Sequence, residues 1–135
     1  MVKESIVLYQ TSTITSHNDG YEMVKEILES LYREQFIIAY PNTKNEPTNI
    51  SVVAVGTLNK AIVHPREVFK TAILSNAASI MAFHNHPSGD TTPSQQDLQL
   101  TNRLYEAGEL LGIKLLDHFI IRDGSFTLLK EKGYL

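Results

Sequence analysis

The chain contains no cysteine. That removes disulfides and every thiolate metal site, and it fits a reducing cytoplasm. No apolar run approaches the roughly 20 residues needed to cross a bilayer. Residues 1–10 lack the long apolar core and small-residue cleavage site of a secretory signal, so a cytoplasmic protein without membrane contact is expected. A large excess of either charge is missing too. A net charge of −3 gives no global attraction to nucleic acid or anionic lipid, although it leaves local basic patches open. The sequence has no internal repeat, no low-complexity tract and no linker long enough to divide it. With 135 residues, 42% apolar and 20% charged, it reads as one domain over 1–135 with a useful core, neither disordered nor membrane-like.

What the chain does have is concentrated in H-N-H-P-S-G-D-T-T-P-S-Q-Q-D, from His84 to Asp97. The apolar run Ala77-Ala78-Ser79-Ile80-Met81-Ala82-Phe83 leads into it, so a buried strand delivers both imidazoles to its end. Residues two apart on a strand share a face. His84 and His86 therefore converge, and Asn85 points away. With Asp97 they form an N, N, O ligand set that leaves one tetrahedral position for water, the arrangement of a catalytic rather than a structural zinc. Each residue also has a plainer reading. A histidine at a strand end is usually a hydrogen-bonded surface residue. Ser94-Gln95-Gln96-Asp97 fits the capping box that opens a helix, with Ser94 as N-cap and Asp97 as the third helical residue. The readings are compatible, because a carboxylate on a first helical turn is held in a defined direction. Pro87, Ser88 and Gly89 turn the chain and Pro93 ends the loop, so Ser94 and Asp97 arrive on a rigid helix start.

Elsewhere the pattern is that of alternating strands and helices. Residues 1–10 read as a strand around Ile6-Val7-Leu8-Tyr9, and residues 11–20 as a polar loop. Val24, Ile27, Leu28 and Leu31 predict an amphipathic helix over 20–33. Residues 36–40 read as a buried strand, 41–47 as a turn, and Ile50 begins the next strand, running to Val55. Pro65 suits a first helical turn, with Val68, Phe69, Ala72 and Ile73 on the inner face. A helix from Gln95 carries Leu100, Leu104, Ala107 and Leu111 at helical spacing and stops at Gly112. Gly108 inside it costs about 1 kcal/mol against Ala, which implies close packing there. Residues 114–121 and 125–129 are the last strands, with Asp123-Gly124 as the hairpin signal. The expected fold is α/β, a mixed β-sheet with helices packed on it.

The His84–Asp97 pattern resembles the JAMM motif of the MPN-type metalloproteases, and the wider sequence resembles the RadC-like branch of that family. The phrases that carry the resemblance are Gly56-Thr57-Leu58-Asn59, His64-Pro65-Arg66-Glu67-Val68-Phe69 and His84-Asn85-His86-Pro87-Ser88-Gly89. Glu106-Ala107-Gly108-Glu109-Leu110-Leu111-Gly112-Ile113 and Leu116-Asp117-His118 continue it. It covers nearly the whole chain from about Asp19 onward. One departure is Pro41-Asn42, where the family has Leu-Asp, followed by a more polar Asn45-Glu46-Pro47 turn; both bear on a loop away from the ligands. Full-length relatives often carry an N-terminal helix-hairpin-helix region, which is not expected within these 135 residues.

The resemblance implies a JAMM/MPN-like, cytidine-deaminase-like domain that binds Zn²⁺ through His84, His86 and Asp97. It implies that Glu34, in Arg33-Glu34-Gln35-Phe36, hydrogen-bonds the zinc water as general base, and that Ser94 helps stabilise the oxyanion. The plain reading of Glu34 is a solvated residue at a helix end, where its charge is slightly unfavourable with the helix dipole. Glu67 is the rival base, but it stands early in its own helix, where an acid is favoured anyway, and reads as structural. His118 reads as a core-edge histidine with a satisfied hydrogen bond, ahead of a role as partner to a ligand. Ser88 belongs to the turn, His64 is a local structural residue, and nothing marks His17. The leading expectation is a zinc metallopeptidase acting on a peptide or isopeptide bond. A DNA-repair-associated accessory domain is the alternative, weakened by the acidic balance and the lack of a basic–aromatic stripe. A metal-free interaction domain is the third, weakened by the complete ligand set. A homo-oligomer is left open.

Overall fold

A computed structural model describes residues 4–7, 16–29, 34–55, 63–86, 92–122 and 124–135. In chain order the elements are β1 (Glu4–Val7), α1 (His17–Glu29), β2 (Gln35–Pro41), β3 (Pro47–Val55) and α2 (Pro65–Leu74). They continue as β4 (Ser79–Asn85), α3 (Gln95–Leu111), β5 (Lys114–Arg122) and β6 (Ser125–Leu128). The strands form one sheet in the order β1-β3-β2-β4-β5-β6. Only the β4–β5 pair is parallel among the described strands, joined by the crossover through α3; the others are antiparallel. The fold is thus the expected α/β domain with a mixed sheet.

β2 and β4 are buried along their whole length. Their near-continuous apolar sequences follow from being covered on both faces, where alternation has no use. On one face Phe36, Ile38, Tyr40, Ile80, Ala82 and Leu115 pack with Val68, Phe69 and Ala72 of α2 and Leu100 and Leu104 of α3. On the other, Ile37, Ala39, Met81, Phe83, Phe119 and Ile121 pack with Tyr21 and Val24 of α1. No helix among the described residues is long and apolar enough to cross a membrane.

Several boundaries differ from the expectation. α1 begins at His17 rather than near Gly20, because Ser16 caps it: the Asp19 N–H donates to Ser16 Oγ at 3.3 Å. Ser16-His17-Asn18-Asp19 repeats the spacing recognised at Ser94, and it extends the helix into the polar stretch. Leu8, Tyr9, Leu31, Gly56–Asn59 and Pro87–Gly89 lie outside the described residues, as do the side chains of Ile27 and Leu28. Ile73 is not on the inner face of α2 but 60% exposed. At about 100° per residue it lies some 40° beyond Phe69, past the stripe made by Val68, Ala72 and Phe69. Leu111, in the last turn of α3, is likewise 48% exposed, and Ile113 beyond the cap enters the core instead. Close packing at Gly108 is as expected. A Cβ there would run into the carbonyl oxygen of Ile113, whose N–H returns to Gly108 O at 3.0 Å. The helix closes on Gly112 in the left-handed conformation, φ 72°. The polar turn at Asn42 ties itself shut: Asn42 Oδ1 accepts from Lys44 N at 2.9 Å and Glu46 N at 3.0 Å. It lies at the opposite end of β2 from Phe36, which pairs with His84.

Candidate metal centre

His84 is the penultimate residue of β4 and faces α3; the backbone N–H of His86, just past the strand, donates to Ile121 O of β5 at 2.8 Å and so prolongs the parallel ladder. The two rings meet edge to face, centroids 4.9 Å apart. Asp97 enters from the first turn of α3. Its carboxylate spans both rings: His84 Nδ1 lies 2.9 Å from Oδ1 and His86 Nε2 lies 3.2 Å from Oδ2. All three offer ligand atoms within 4.8 Å of one another. The sequence placed these three residues together, and the structure does the same.

Asp97 completes the cap of α3 and stands in the His-His-Asp cluster at once. Its backbone N–H donates to Ser94 Oγ at 3.1 Å, and the Ser94 N–H donates to Asp97 Oδ2 at 2.8 Å, a complete capping box. Asp97 is fully buried, His84 is 2% exposed and His86 is half-buried. Burial works to raise the Asp97 pKa, but hydrogen bonds from His84 and His86 outweigh it and hold the carboxyl well below the usual carboxylate range. Burial likewise depresses the His84 imidazole, and the Asp97 and Glu34 carboxylates more than reverse this, raising it above the ordinary histidine value.

Glu34 stands immediately before β2, half-buried, with Oε2 3.4 Å from His84 Nε2. That contact with His84 leads the causes that lower its pKa. Its backbone is tethered by a residue the sequence reading set aside. Asn85, between the two histidines and on the opposite face, accepts the Gln35 N–H on Oδ1 at 2.5 Å. Glu67, the rival, lies in the first turn of α2. Phe36 walls the site from the core, 5.9 Å from the His84 ring and 5.4 Å from His118. His118 is fully buried in β5, and burial lowers its pKa to about 3, so the ring is neutral at ordinary pH. Its Nδ1 meets Thr101 Oγ1, while Nε2 has no hydrogen-bond partner, so only half of the expected satisfaction is found. Thr101 was not singled out in the sequence. The signal for it was its place one turn after Asp97. His64 stands at the N-cap of α2 without a side-chain cap bond, and His17 opens α1.

The donor set suits a divalent cation. His84 Nε2 is buried and has no hydrogen-bond partner, although it faces a carboxylate. Histidine binds metal through the lone pair of a neutral ring nitrogen, and a buried ring nitrogen without a partner is one that a cation would satisfy. Two imidazoles and a carboxylate are borderline donors of the kind zinc accepts.

Comparison with known proteins gives a consistent outcome. The profile of the RadC-like JAB domain matches residues 14–134. UPF0758 protein YsxA of Bacillus subtilis (strain 168) is 52% identical over 122 residues, which is 90% of this chain and 53% of that protein. A UPF0758 protein of Bacillus pumilus is 51% identical over 122 residues, 90% of this chain and 54% of its own length. One from Geobacillus thermodenitrificans is 53% identical over 117 residues, 87% of this chain and 52% of its own length. The chain thus spans about half the length of the curated relatives it matches.

Proposed function

The chain belongs to the RadC-like JAB domain family, a kind of domain that is usually a hydrolase, and we propose that it is a zinc-dependent metallopeptidase or isopeptidase. The observation that carries this reading is the meeting of Glu34 and the ligand set: Oε2 lies 3.4 Å from His84 Nε2, on the side of the ring away from Asp97. His84, His86 and Asp97 would hold the ion. When bound, zinc supplies a Lewis acid and lowers the pKa of its water to about 7.

The chain's own residues do the rest. Glu34, a carboxylate that is ionised at neutral pH, accepts a proton from the attacking water as the new C–O bond forms. It then gives that proton to the amine as the C–N bond breaks, so it ends the cycle as it began. Ser94 caps α3 with an oxygen lone pair, which leaves its hydroxyl proton for a substrate oxyanion. Capping and oxyanion donation therefore do not compete. Phe36 and the burial of His84 and Asp97 keep bulk water from the inner side of the ligands.

The test is a cleavage assay against peptide and isopeptide substrates with zinc analysis alongside. Glu34→Gln keeps the side chain's size and reach but cannot accept a proton. It should retain about one zinc per chain and lose at least ~10²-fold in rate, with Glu67→Gln much milder. Full activity in Glu34→Gln would remove Glu34 from the mechanism.

A further inference from the structure

His118 lies in β5 opposite Ala82 of β4, and so on the same sheet face as His84 two residues on. Its Nδ1 lies 2.5 Å from Thr101 Oγ1, and that oxygen lies 2.7 Å from the carbonyl oxygen of Asp97. A carbonyl only accepts, so the single hydroxyl proton of Thr101 goes to Asp97 O. The Thr101 oxygen must then accept from His118, which places the ring proton on Nδ1. The assignment that satisfies both contacts is a chain of donors: His118 Nδ1–H to Thr101 Oγ1–H to Asp97 O. Nε2 keeps a lone pair that is buried and without a hydrogen-bond partner. Leucine would fill the same space without that penalty, so the imidazole serves some purpose other than packing.

We propose that Thr101 and His118 are positioning residues for the metal centre: they pin the first turn of α3 to the sheet at the depth where the Asp97 carboxylate meets His84 and His86. This rests on the metal-site reading above. The capping box orients the Asp97 carboxylate only within its own helix. Something must also set that helix against β4, which carries the histidines. Leu100 and Leu104 hold α3 to the core, but apolar burial is non-directional. The Asp97–Thr101–His118 relay is directional and buried, and it ends on the strand paired with β4. Ligand geometry tolerates errors of only about 0.5 Å, a precision that polar ties around a site supply.

The experiment measures zinc affinity by competition with a chromophoric chelator, together with the visible spectrum of the Co²⁺-substituted protein. Thr101→Val should weaken zinc binding ~10–100-fold and alter the cobalt bands, whereas Thr101→Ser, which keeps the hydroxyl, should stay within about threefold of the parent. Thr101→Val also strands the His118 N–H and lowers stability. The double variant Thr101→Val/His118→Leu removes both polar partners, so the melting temperature in chelator should recover while zinc affinity stays weak. Parent-like affinity in Thr101→Val, or affinity that recovers together with stability in the double variant, would overturn the proposal and leave the metal site standing. A parent protein that binds no zinc would overturn the metal-site reading itself, and this inference with it.

Discussion

Two histidines of this protein sit at opposite ends of the same electrostatic rule. His84 is buried between carboxylates and is pushed toward its charged form; His118 is buried among apolar groups and is pushed toward its neutral form. The second has a measurable consequence for folding. The His118 pKa is about 3 in the folded protein and close to 6.5 in the unfolded chain. Between those values the unfolded chain binds more protons, so stability rises with pH across that window and is lost on acidification. With chelator present, the parent should lose stability relative to His118→Leu as pH falls below about 6.5, at up to ~1.4 kcal/mol per pH unit. His84 contributes with the opposite sign, but it is common to both proteins and cancels in the difference. Urea midpoints at a series of pH values give that difference; parallel curves would mean that His118 titrates normally.

At the scale of the element, α3 is the part that joins stability to chemistry. Its first turn holds the cap and the candidate ligand Asp97, and its last turn closes on Gly112. Ser94→Ala should cost about 1 kcal/mol of stability, as for other lost N-caps, and Ser94→Asn should restore it. If the Ser94 hydroxyl also donates to an oxyanion, turnover should fall ~10²–10³-fold in Ser94→Ala and stay impaired in Ser94→Asn. Chemical denaturation and the cleavage assay separate the two roles. Recovery of both quantities in Ser94→Asn would confine Ser94 to capping. β4 has a comparable double duty: His84 turns to the His-His-Asp cluster, and Asn85, on the other face, holds the start of β2 beside Glu34.

For the whole molecule, the candidate ligands come from one strand end and one helix start that meet only when the domain is folded. The proposed zinc site therefore links metal binding to folding. Zinc at about 100 times its dissociation constant should stabilise the parent by about 2.7 kcal/mol, and a chelator should remove that increment. In His84→Ala/His86→Ala, thermal melts with and without chelator should coincide. A chelator-sensitive melt in that double variant would place the metal elsewhere.

Much of this was legible in the chain. The His-x-His spacing, the Ser94-x-x-Asp97 box, the apolar runs of β2 and β4 and the glycine at 108 each act over a few residues, through strand alternation, helix capping and backbone sterics. Local rules of that kind survive without knowing the fold. The start of α1 was legible too, in Ser16 and Asp19, but a polar stretch concealed it. The exposure of Ile73 was not, because helical spacing marks an apolar stripe without saying how wide a surface it meets. Nor could any spacing join Thr101 to His118, which are 17 residues apart, or Gln35 to Asn85, which are 50 apart. Those contacts depend on which strands lie side by side and on the depth at which α3 settles. That choice is made by the packing of the whole core, and the fine geometry of the candidate site follows from it.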